Sequence, residues 1–206
     1  MKSLSVGKTL LVGCMVLSFA GLLHADDAWK KREEARKRLT RARQAAAEYK
    51  TEKAADEARE ALKNDPKLVD AHVIIAMHEL RENNLQKAES SLRRALEMDN
   101  YNAGAHCYLG YLHYMQGKLD DALDEFTFST KLDATSPHAF AGLALVQFRQ
   151  GMKEQAAKNY ERALTYDKRL ADPKFLASDK GPRWPGPILK DAEALLPLVQ
   201  KSAFPF

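Results

Sequence analysis

The sequence predicts an all-α fold: a short solenoid of antiparallel helix pairs with capping helices. Three observations carry this expectation. Ala54, Ala88, Ala122 and Ala156 stand 34 residues apart, and so do Asp65, Asp99, Asp133 and Asp167; a strict internal period decides architecture before local propensity does. Alanine, leucine, lysine, arginine and glutamate dominate most of the chain, and these residues favour helix. The 206 residues are 45% hydrophobic and 29% charged, a balance of folded rather than disordered chains.

Residues 1–25 are made differently. Lys2 and Lys8 precede an uncharged apolar run, Thr9 to Leu23, and Asp26 and Asp27 follow. This is the order of a secretory signal, so the expected mature chain is exported, periplasmic or secreted. Two cuts fit: Ser18-Phe19-Ala20 has small residues in the right places, whereas Leu23-His24-Ala25 abuts the acidic pair but has a large residue in the third place back; the cut after Ala25 is preferred. Two alternatives remain open. Residues 9–23 could anchor the chain, although a spanning helix takes about 20 apolar residues. Leu11-Val12-Gly13-Cys14 resembles a lipobox, which would lipidate Cys14, although the apolar run continues past it. A cut after Ala25 leaves Cys107 as the one cysteine and no intrachain disulfide.

The period is clearest over residues 69–102, 103–136 and 137–170. Each unit opens on a helix-period stretch in which Ala71, Ala105 and Ala139 correspond, as do Ile75, Leu109 and Leu143. A small residue follows: Ala76, Gly110 or Ala144. Leu80, Tyr114 and Phe148 close the first helix. Asn83, Gly117 and Gly151 then supply residues that tolerate the left-handed backbone at a helix end. The second helix carries Ala88, Leu92 and Ala95, then Ala122, Phe126 and Ser129, then Ala156, Tyr160 and Ala163. Spacings of four and three put each trio on one buried stripe. The aspartates at the closing turns can accept local backbone amides.

These positions resemble the tetratricopeptide repeat family, whose unit length is 34 residues, over about Ala35 to Leu170. The resemblance implies a right-handed stack in which small residues sit where the two helices of a unit cross: Ala76 with Ala88, Gly110 with Ala122, Ala144 with Ala156. The large aromatic usual near the start of each first helix is His72, His106 and Phe140 here, and the proline after the closing turn survives only as Pro66. Residues 26–68 read as a basic helix and a degenerate repeat. Ala54, Ala58, Ala61, Leu62 and Asp65 fit the second helix, but Arg38 and Arg41 occupy apolar places in the first. Its own stripe is Trp29, Leu39, Ala42, Ala46 and Tyr49. Residues 171–206 change character. Lys180-GPRWPGP-Ile188 is too rich in proline and glycine for continuous helix, and a helical pattern resumes from Ile188 to Val199, which Pro197 inside it should kink or shorten. This segment is expected either to cap the stack or to dock into its concave groove.

The family resemblance implies that ligands meet the concave face lined by the first helices. Carried over by position, the candidate groove residues are Val73, Met77, Leu80, Cys107, Tyr108, Tyr111, Tyr114, Leu145 and Phe148, with Arg81, Met115 and His138 among their neighbours. An apolar, aromatic groove suits a protein or peptide partner rather than a terminal carboxylate. Large apolar residues on helices are as readily inter-repeat core. No phosphate loop or serine elbow is present, so a non-enzymatic, cofactor-free interaction module is expected. His72 and His106 are equivalent in register and His113 lies seven residues beyond, but two histidines make a poor zinc site. The basic run from Lys30 to Arg43 would suit nucleic acid, which the secretory signal disfavours; contact with anionic lipid head groups or a solvated helix face fits better. A second function class, a structural component of an envelope assembly acting through the basic N-terminal helix and the C-terminal tail, also accommodates the sequence.

Overall fold

The structure is a computed structural model that describes residues 6–203, with side chains from Asp27 to Gln200. The expected signal segment, residues 1–25, lies outside the residues whose side chains are described. The described chain forms the expected all-α solenoid, with no strand among the described residues.

Four helix pairs follow one another: α1 (Val6–Ala47) with α2 (Thr51–Asn64), α3 (Val69–Arg81) with α4 (Leu85–Met98), α5 (Ala103–Met115) with α6 (Leu119–Leu132), and α7 (Pro137–Arg149) with α8 (Lys153–Tyr166). Each pair packs on the next, and the first helices α1, α3, α5 and α7 also touch in sequence. A short 3-10 turn (Lys168–Ala171), α9 (Pro173–Ala177) and α10 (Gly186–Ala203) complete the chain.

The period has a physical cause at each of its marks. Ala54, Ala88, Ala122 and Ala156 are fully buried, since only a methyl fits where two helix axes approach. Asp65, Asp99, Asp133 and Asp167 each accept, through Oδ1, the N–H of the residue two positions on, at 3.1, 3.1, 2.9 and 3.1 Å. This satisfies a backbone donor where one unit turns into the next. His72 and His106 repeat a bond as well: their Nε2 groups donate to the carbonyls of Pro66 and Asn100 at 3.2 and 3.0 Å. Glu125 lies 2.5 Å from His106 Nδ1, a carboxylate the sequence spacing did not place there. No cluster of three metal-ligating residues occurs among the described residues.

Between the second and third full units the small residues serve one ring. A Cβ on Gly110 would meet Phe126 at 2.9 Å, and one on Gly142 would overlap the same ring. Phe126, fully buried on α6, is therefore wedged between α5 and α7, and both helices must present a bare backbone to it.

Two expectations are corrected. Trp29 does not join the buried stripe of α1 and is 61% exposed. The 14 residues of α2 cover about 21 Å of its much longer partner, and Trp29 lies beyond that reach; Ala35, Leu39, Ala42 and Ala45 are the buried positions of α1. Pro197 does not end its helix: α10 runs through it to Ala203, with Pro197 on the exposed side. Arg38 stands at an apolar register position by keeping its guanidinium at the surface, paired with Glu34 and Glu57.

The tail both caps and docks. Ile188, Ala192, Leu195, Leu196 and Val199 are buried as α10 packs on α8 and α7. The linker before it returns across the concave side.

Candidate functional site

On the concave side lies a cavity of about 660 Å3, within the range of ordinary ligand pockets. Its floor comes from the first helices: Met77, Leu80 and Arg81 of α3, and Tyr108, Tyr111 and Met115 of α5. Its far wall is Pro137 and His138 at the start of α7, with Asp167, Lys168 and Arg169 after α8. Pro182, Trp184, Pro185 and Ile188 of the tail form another side, and Ala46, Ala47, Tyr49 and Thr51 a third.

Of the nine candidate groove residues, Met77, Leu80, Tyr108 and Tyr111 line this cavity. Val73, Cys107 and Leu145 are buried core, because consecutive first helices pack closely enough to cover those faces. Tyr114 is engaged from outside: its hydroxyl bonds Asp191 of α10, which also pairs with Arg149 at 3.0 Å. Phe148 is partly buried against the core and is not among the lining residues. Met115, Arg81 and His138, neighbours in the same positional set, do line the cavity.

Tyr49 is the residue that sequence reasoning misplaced. Its backbone is left-handed, φ 58°, as is that of Asn83 (59°), Gly117 (75°) and Gly151 (81°). Those four stand 34 residues apart, so subtraction from Asn83 would have found it. A tyrosine there is strained where asparagine or glycine is not. Its side chain spans the groove instead. The Tyr49 hydroxyl donates to Asp167 Oδ2 at 3.3 Å, and His138 Nε2 lies 3.3 Å from the same hydroxyl oxygen. A carboxylate only accepts, so the imidazole Nε2–H donates to the tyrosine oxygen. The ring meets Phe175 edge-on at 5.4 Å, and the Arg169 guanidinium sits 5.3 Å from its centre.

Burial holds the Tyr49 hydroxyl well above the ordinary phenol range, and the Asp167 carboxylate adds to this. Burial likewise raises Tyr108 and Tyr111, so the aromatic floor carries no charge at neutral pH. Burial lowers His138 below its ordinary value despite the nearby Asp167. Partial burial pushes Asp167 up, but its bonds from Arg169 outweigh that and leave it below the usual carboxylate range. The cavity is thus apolar and aromatic along α3 and α5, with its charges at the Asp167–Arg169 rim and at Arg81. Arg81 Nη1 donates to Tyr49 O at 3.0 Å and Thr51 Oγ1 at 3.1 Å, and its Nη2 reaches Asp179 at 2.9 Å.

A family model described as tetratricopeptide repeat matches residues 39–103 and 75–137, spanning the degenerate unit and the first two full units. The chain is a tetratricopeptide repeat protein. No curated protein matches it in sequence. Its fold is similar to that of the pilF protein of Pseudomonas aeruginosa, with 22% identity, 84% of this chain and 78% of that one covered, and a TM-score of 0.56. It is also similar to TTC0263, a thermophilic tetratricopeptide repeat protein of Thermus thermophilus, with 18% identity, coverage of 82% and 91%, and a TM-score of 0.57. At these identities the likeness is one of fold. Tetratricopeptide repeats present surfaces to other polypeptides, so the chain is a protein-interaction module in that general sense.

Proposed function

We propose that this protein is an exported, non-enzymatic adaptor that holds a partner polypeptide in the concave cavity. The observation that carries this reading is the floor. Two methionines and two tyrosines converge on a cavity large enough for several side chains, Met77 with Tyr108, Tyr111 and Met115. Methionine fits irregular apolar shapes, and tyrosine offers apolar area with a hydroxyl for backbone bonds. Export is supported by the basic, apolar and polar order of residues 1–27.

The test is Met77→Glu combined with Tyr108→Glu. Both side chains are only partly buried, so helicity by circular dichroism should persist. Loss of the polypeptides that co-purify from intact cells is expected; an unchanged set of partners overturns the reading. Cell fractionation tests export separately, and protein found in the cytosol with residues 1–25 still attached overturns that part.

One observation favours the second class. Lys31, Arg32, Arg36 and Lys37 are all exposed on α1, beside the exposed Trp29. A basic face with an aromatic at one end suits an anionic membrane surface. Binding to anionic but not neutral vesicles, lost on changing Arg32 and Arg36 to Gln, would support an envelope role through this helix.

A further inference from the structure

The chain leaves α9 at Ala177 and runs Ser178 to Pro185 before α10 begins at Gly186. This strap is held at two residues, Gly181, which is buried against the Phe175 carbonyl, and Trp184, and more lightly elsewhere. Asp179 reaches Arg81 yet is 80% exposed, and Arg183, also exposed, lies 3.7 Å from Glu82 and 3.4 Å from Asp179. The Arg183 pairs are exposed at both ends and contribute little, whereas the Arg81 side chain is itself buried and also donates to Tyr49 O and Thr51 Oγ1. Pro182 and Pro185 have no N–H to bond. Trp184 is the strap residue that enters the cavity: it is 8% exposed, its ring centre lies 6.2 Å from that of Tyr111, and its backbone N–H donates to Leu176 O at 2.9 Å. Arg183, next to it, is held at φ 43°, a left-handed backbone that an arginine leaves readily. The cap does not depend on the strap, because Leu195, Leu196 and Val199 bury α10 on its own.

The strap therefore sets one tryptophan, with a proline after it and another two residues before, against the aromatic floor of the cavity. We infer that residues 180–187 are an internal occupant of the partner site, and that the partner inserts an extended segment of the same chemistry, an aromatic residue flanked by proline, in competition with Trp184. This rests on the concave cavity being the partner site. Prolines suit such a segment because their fixed φ leaves little freedom to lose on binding, and the aromatic ring supplies the apolar area that Tyr111 now takes from Trp184.

The chain has two tryptophans, so Trp29→Phe leaves Trp184 as the sole emitter. The probe is a synthetic peptide of residues 180–187 in which phenylalanine replaces the tryptophan. Titrated into the Trp29→Phe protein, it should shift Trp184 emission to the red as the strap is displaced. The labelled peptide should bind Trp184→Ala about tenfold more tightly than the parent, since a closed strap reduces apparent affinity by the open fraction. A version with alanines for its prolines should bind weakly to both. No emission shift overturns the inference, and so does equal affinity for parent and variant. The emission titration needs no destabilised variant, so it decides even if Trp184→Ala does not fold. Met77→Glu separates the two levels. If it abolishes partner capture while the peptide binds no variant, the cavity stands as the partner site and the strap inference fails. If it leaves capture intact, the cavity reading itself fails.

Discussion

The Tyr49 hydroxyl donates to Asp167 Oδ2 at 3.3 Å, joining residues 118 positions apart in sequence. Asp167 meanwhile closes the third full repeat, where its Oδ1 accepts the Arg169 N–H. One carboxylate thus ends a repeat with one oxygen and holds the degenerate unit across the groove with the other. Tyr49→Phe keeps the ring contacts with Phe175 and removes the hydroxyl. A loss of about 1 kcal/mol is expected, the net value of such a bond, read from urea unfolding. An unchanged midpoint would mean that water replaces the tie at no cost.

Two histidines make stability pH-dependent. His138 and His72 are both held below the ordinary histidine value, chiefly by burial. As pH falls, the unfolded state therefore takes up protons before the folded state does. Stability is complete above about pH 6.5 and declines as pH drops through the depressed folded values. The urea midpoint should fall on going from pH 7 to pH 5, and the His72→Gln, His138→Gln double variant should flatten that slope. Asp167, lowered in the folded state, adds a second loss only below the ordinary carboxylate range.

Phe126 fits because Gly110 and Gly142 give it room. Gly142→Ala should destabilise by about 1–3 kcal/mol through overpacking, although alanine is the better helix former. Gly186→Ala is the control, since a Cβ there meets nothing within 4 Å. If Gly142→Ala is as stable as the parent in thermal unfolding, the ring is not wedged between α5 and α7.

Cys107 is buried, and burial raises its thiol well above the usual range. Alkylation by iodoacetamide at pH 8 should be slow in the folded protein and fast in concentrated urea, as a protonated, covered thiol is a poor nucleophile. Cys107→Ala should leave partner capture intact, because the residue belongs to the core and not to the cavity. Rapid labelling of native protein would contradict this placement.

The repeat marks were legible in the sequence because each acts locally. Ala76 and Ala88 are both fully buried within one helix pair, and Asp99 bonds an amide two residues on. The candidate groove was legible only in part. Register identified the face to which Met77 and Tyr111 belong, but it could not separate lining residues from covered ones: Val73 and Leu145 differ from Met77 only by what the next helix lays over them. Tyr49 was within reach of the 34-residue count, yet its aromatic side chain drew it into the apolar stripe of α1. Trp184 had no register to betray it.

By itself, then, the sequence determined the helix pairs, their small crossing residues and their Asp-closed turns, because all of these depend on neighbours within a unit or the next. The tertiary structure decided the cavity. Its walls come from Tyr49, Met77, Tyr108, His138, Asp167 and Trp184, which meet only after small rotations between successive repeats add up to a curved face and the proline-rich tail crosses it. That summation is a property of the whole stack, and no single unit encodes it.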